Sequence, residues 1–114
     1  MTDSGRSTGQ PSGGAAQQAA AFLAHAVHGE VDGAQVGPVR VLGSGDGQQV
    51  YAAAVVRGPL RSYLATAWGT AGSVSRKEIV SYPDPTAAQA ALDALLARQQ
   101  HQGYTDQGTV DGAG

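Results

Sequence analysis

The sequence predicts an α+β domain: an antiparallel sheet of about four strands, one main C-terminal α-helix packed on it, and a short N-terminal helix. Three observations carry this prediction. Apolar stretches of strand length are separated by tight glycine-containing turns, which favours a meander. An alanine- and leucine-rich stretch with helical spacing opens on Asp84-Pro85 and closes on Gly103. An alanine-rich stretch near the N-terminus places Phe22, Leu23, Ala26 and Val27 near one helical face.

Taken in order, residues 1–14 (MTDSGRSTGQPSGG) are rich in glycine, serine and threonine and show no apolar periodicity. Such a segment cannot bury enough apolar area to offset its own ordering, so it is expected to be an unstructured tail. Residues 15–29 form the short helix, stopped at Gly29, with high alanine propensity but little to bury; weak docking or fraying is expected. The stretch Val36 to Leu42 has β-branched residues and Pro38, the pattern of an edge strand. Gly43-Ser44-Gly45-Asp46-Gly47 then turns the chain. From Gln48 to Arg57 the second strand puts Tyr51 and Val55 on one face and Val50 and Val56 on the other. Gly58-Pro59 ends it. Between Arg61 and Trp68 the residues alternate again, Gly69-Thr70-Ala71-Gly72 makes the next turn, and Val74 to Tyr82 returns.

The last helix is the clearest element. Asp84 suits the cap and Pro85 the first helical position, and the helix is expected to reach about Gln102. Ala88, Leu92, Leu95 and Gln99 lie along one stripe, with Ala91 and Leu96 beside it. Gly103 suits the left-handed residue past the end. Residues 105–114 (TDQGTVDGAG) resemble the N-terminal tail in composition and are expected to be unstructured as well.

Composition excludes several classes of function. The 114 residues suit one domain, and the formal net charge of −2 argues against coating nucleic acid by electrostatics alone. There is no cysteine, hence no disulfide, thiolate nucleophile or cysteine metal site. No apolar run approaches the roughly 20 residues of a membrane span. The run AAAFLAHAV lacks the positive flank of a secretion signal, since Asp3 offsets Arg6. The chain therefore reads as a cytoplasmic monomer. His25 and His28 are three residues apart but have no third ligand, so surface histidines are the simpler reading. No G-x-S-x-G elbow or phosphate loop is present, and the acids are scattered. The reading is of a non-enzyme without a cofactor.

Charge is uneven along the chain. From Arg57 to Tyr82 there are four basic residues, Arg57, Arg61, Arg76 and Lys77, against the single acid Glu78. This is either a local basic patch or ordinary solvated strand charge. The only tryptophan, Trp68, lies in the same stretch, directly before a glycine turn. Its ring either closes the end of a small core or stands half exposed to stack on a ligand.

Trp68-Gly69, a second glycine at Gly72, an aromatic at Tyr82, then Ala88, Leu92, Leu95 and a closing Gly103-Tyr104 resemble the WGR domain family over about Val39 to Tyr104, within a domain of residues 36–104. That family is named for a Trp-Gly-Arg triplet. It occurs in DNA-dependent poly(ADP-ribose) polymerases and as bacterial modules. The resemblance implies a compact antiparallel sheet with one main helix. It also implies a non-catalytic module that binds DNA ends or single strands, with Trp68 stacking on the nucleic acid and Arg61, Arg76 and Lys77 meeting phosphates. Stacking of a base on an aromatic is worth about 1–3 kcal/mol and tolerates any base. The family arginine is Thr70 here, which brings one hydroxyl and no charged fork. That loss and the negative net charge favour the alternative, a protein-interaction module whose sheet or alanine-rich first helix docks on a partner; the family likeness favours weak nucleic-acid binding, which stands first in this reading.

Overall fold

The computed structural model describes residues 11–110, with side chains from residue 14. The elements are α1 (Pro11–Glu30), β1 (Gln35–Val36), β2 (Val39–Gly43), β3 (Gln49–Arg57), β4 (Ser62–Thr70), β5 (Ser73–Tyr82), α2 (Pro85–His101) and β6 (Thr105–Val110). The α+β class stands. The sheet, however, has six strands and not about four, and α2 is followed by a further strand. Its order is β5-β4-β3-β2-β6, with β1 paired to the end of β3, and every pairing is antiparallel.

The two added strands have distinct causes. The stretch read as one strand from Val36 is split at Gly37-Pro38, where proline has no N–H for the ladder. Gly37 still donates its N–H to the Val55 carbonyl at 3.0 Å, which keeps β1 beside β3. The segment from Thr105 to Val110, expected to be unstructured, pairs with β2 and makes that strand an interior one, so Pro38 does not mark a sheet edge. Side-chain burial contributes little to β6, which is exposed over Thr105–Thr109. Backbone pairing and the ion pair of Arg40 with Asp106 hold it instead. The Asp106 carboxyl is held below its ordinary range first by the Gly108 N–H, which it accepts at 2.8 Å, and then by Arg40. The remaining residues of that expected tail, 111–114, lie outside the described residues, as do residues 1–10 of the other.

The sheet lies between the two helices. Strand alternation assigns each face its own core. Val50, Ala52, Ala54 and Val56 of β3 and Ala65 and Ala67 of β4 face α1. Leu42, Ala53 and Leu64 face α2, where they meet Leu92, Leu95 and Leu96. The first helix is longer than expected: Pro11 opens it, and residues 11–14 belong to it. Its apolar stripe is seated on the sheet. Ala19 and Val27 are fully buried and Leu23 is 1% exposed. Alanines on both sides let helix and sheet approach closely, so a low-volume interface still excludes water.

Helix α2 begins and ends as its sequence signals imply. Asp84 has extended backbone and its carboxylate accepts the Ala87 N–H at 2.8 Å, while Pro85 follows. At the other end Gly103 N–H reaches the Gln100 carbonyl at 3.1 Å and Tyr104 N–H reaches Gln99 at 3.0 Å. With Gly103 at φ +103°, this is the paired Schellman closure. Asp84→Ala is expected to cost about 1 kcal/mol, seen as a lower urea midpoint at unchanged slope. An unchanged midpoint would show that the cap contributes nothing here.

Of the three tight turns, the first is specified by side chains. In the β2–β3 turn the Asp46 carboxylate accepts from the Ser44 hydroxyl at 2.6 Å and the Gln48 N–H at 3.0 Å, and Gly47 takes φ +74°. The β3–β4 turn closes with Gly58 N–H donating to the Arg61 carbonyl at 2.8 Å. Between β4 and β5 the chain reverses at Ala71-Gly72, and a bulge shifts the register between Trp68 and Gly69.

Candidate binding site

Pairing of β3 with β4 sets Tyr51 opposite Trp68 on the α2 side of the sheet. Their rings stack at 5.6 Å between centroids with 10° between planes. The Schellman closure of α2 delivers Tyr104 to the same place, where its ring meets Tyr51 edge-on at 6.2 Å and 79°. Cross-strand aromatic pairs of this kind contribute roughly 0.5–1.5 kcal/mol beyond simple burial. All three side chains are half-buried. The indole is thus neither a core residue nor a free one: Tyr51 supports it and part of it remains open to solvent.

Charges of both signs border this ledge. Arg76 of β5 is the cross-strand partner of Trp68, and Glu78 is that of Thr66, two residues along on the same face. Burial is the main cause that raises the Tyr51 phenol above its ordinary value; the Glu78 carboxylate adds to it, while the Thr66 hydroxyl and the Arg98 guanidinium oppose it. Arg98, from the last turn of α2, is therefore part of the same electrostatic neighbourhood. The Thr66 hydroxyl donates to the Glu78 carbonyl at 3.4 Å.

The five residues singled out from the sequence do not form one surface. Trp68 and Arg76 are neighbours, and Thr70 is exposed at the end of β4 beyond them. Lys77 follows Arg76 in a strand, so it points to the opposite face; there it pairs with Glu30 at the end of α1. Arg61 lies before the start of β4, seven residues from Trp68, a span of about 23 Å along an extended strand. A phosphate track through Arg61, Arg76 and Lys77 would have to pass from one face of the sheet to the other. Arg76 alone stands beside the indole.

Sequence reasoning missed Tyr51, Tyr104, Glu78 and Arg98. A signal for Tyr51 was present: a hairpin centred on Pro59-Leu60 places residue 51 opposite residue 68. Tyr104 belongs to the Gly-Tyr ending, but its role follows only from where the closure of α2 brings its ring. Strand alternation is the signal that separates Arg76 from Lys77.

No protein-family model, curated protein or solved structure matches the chain. The WGR likeness therefore rests on the residues quoted for it. Among the described residues no group of three or more His, Asp or Glu side chains is placed to hold a metal ion, and no helix is long and apolar enough to cross a membrane.

Proposed function

We propose that the chain is a non-catalytic binding module of WGR type whose working surface is the ledge of Trp68, Tyr51 and Tyr104, and that it recognises a protein segment. The carrying observation is the mixed border of that ledge. Stacked, half-buried aromatics flanked by Arg76, Arg98 and Glu78 match the aromatic anchors and polar rim of a protein contact. A nucleic-acid backbone calls for several cations along one path, and here Lys77 is engaged with Glu30 on the other face.

The nucleic-acid reading keeps one specific support, Arg76 beside an indole with open surface. One set of measurements separates the two. Trp68 is the sole tryptophan, so its emission reports on the ledge alone. Peptides selected from a display library on the wild-type protein are expected to shift that emission. Trp68→Ala removes the fluorophore, so its binding is read from the anisotropy of a labelled peptide; it should weaken by about 30-fold or more, as loss of an aromatic hot spot does. Lys77→Ala and Arg61→Ala should bind as wild type. Nicked duplex and single strands are expected to leave the emission unchanged at 20 and 200 mM salt. Salt-sensitive oligonucleotide binding that falls with Arg76→Ala would transfer the assignment to nucleic acid.

A further inference from the structure

Among the described residues two large apolar side chains are exposed, Leu60 and Val80. Val80 stands on the face of β5 that α2 partly covers. Leu60 is different: it is 90% exposed at the tip of the β3–β4 turn. Pro59 fixes the first corner of the turn, and the Gly58 N–H to Arg61 carbonyl bond spans its base at 2.8 Å. Leu60 is thus presented to solvent at the tip, flanked in sequence by the exposed cations Arg57 and Arg61.

The opposite end of the same strand carries a complementary shape. An apolar cleft of about 430 Å³ opens there between α1 and the sheet. Its walls include Ala15, Ala16, Val41, Val50 and Ala71, and its rim is the β2–β3 turn at Ser44 and Gly47. That turn bears Asp46, whose carboxyl is held below its ordinary range first by the Ser44 hydroxyl and then by the Gln48 N–H. The knob is therefore flanked in sequence by two positive charges, and the turn at the cleft's rim carries a negative one. They stand at opposite ends of β3, about 27 Å apart for nine extended residues, so one chain cannot join its own knob to its own cleft.

We propose that Leu60 of one copy of this chain inserts into the cleft between α1 and the β2–β3 turn of a second copy, with Arg57 and Arg61 facing Asp46. This inference is independent of the ligand proposed for the aromatic ledge, and it replaces the expectation of a simple monomer. The contact is head-to-tail: a pair of copies leaves one knob and one cleft unused, so association continues in a row. Its small area makes it weak, and it builds up with protein concentration.

Sedimentation velocity over a concentration series reaching about 1 mM tests this. The average mass of the wild type is expected to rise steadily without stopping at a dimer. Leu60→Ser removes the knob from a fully exposed position and should sediment as one chain. Ala71→Phe, or Ala15→Leu as a second variant, fills the cleft and should do the same. Mixing the knobless and cleft-filled variants should give a one-to-one dimer and nothing larger, because each supplies what the other lacks. Thermal midpoints close to wild type establish that the variants fold. A wild type that stays at one chain overturns the proposal and leaves the cleft to another occupant. Association that survives in both variants, or a mixture that remains monomeric, overturns it as well.

Discussion

Leu23→Ala is expected to be the most damaging single truncation on the α1 side, at about 2–5 kcal/mol. The reason lies in the composition of that layer. Among the described residues the buried side chains of α1 are Ala16, Ala19, Ala20, Leu23, Ala24 and Val27, and Leu23 is the largest of them. It fits against a sheet face that is itself built of valine and alanine. Few neighbours are long enough to move into the space left behind, and a cavity that cannot collapse carries the higher cost. A domain of this length has roughly 5–15 kcal/mol of total stability, so a large share would be lost. The melting midpoint should fall by about 10 °C or more. Gln17→Ala, on the exposed side of the same helix, should stay within about 0.5 kcal/mol. Urea unfolding of both variants checks the contrast. A loss below about 1 kcal/mol for Leu23→Ala would mean that α1 is not seated on the sheet as described.

Gly69→Ala is expected to cost about 1–3 kcal/mol and to disturb the ledge directly. A Cβ at residue 69 would come within 2.9 Å of the Ser73 carbonyl oxygen and of the Val74 Cα, and 3.1 Å from the Ser75 nitrogen. These are backbone atoms of the paired strand and cannot rotate away. The glycine therefore sits at the bulge for lack of room, not for a positive φ. Relief requires β4 and β5 to separate where the register shifts, next to Trp68. The variant should show both a lower melting midpoint and altered Trp68 emission in the folded state. Gly45→Ala is the matched control, since a Cβ there meets nothing within 4 Å; it should be neutral. Equal behaviour of the two variants would remove the bulge from the account of the site.

How much of this was legible beforehand depended on what holds each element. Helix α2 announced itself because its two ends are set by local chemistry, Asp84-Pro85 at one and Gly103 at the other. Strands β3 to β5 were legible because glycine turns separate them and apolar residues alternate along them. The ends of the chain were not. Pro11-Ser12-Gly13-Gly14 has the composition of a loop, yet it forms the start of α1. Thr105-Asp106-Gln107-Gly108-Thr109-Val110 has no apolar alternation because its place comes from backbone pairing with β2, which composition does not record. At the site, Trp68 was conspicuous as the sole tryptophan, but its stacking partner comes from a different strand and depends on register. The cations were grouped by proximity in sequence, and a strand sends adjacent residues to opposite sides.

The last strand has a consequence for how the molecule assembles. From β2 to β5 each hairpin joins segments close in the chain, so these can pair with little loss of chain freedom. β6 must instead return past α2 to find β2, bringing Asp106 to Arg40 across 66 positions. Closing so long a loop is entropically dear relative to a hairpin, and β6 has little buried surface to hasten it. It is therefore expected to join last and to open first. Its amides should exchange with solvent by local opening while those of β3 and β4, in the middle of the sheet, wait for the whole domain to unfold.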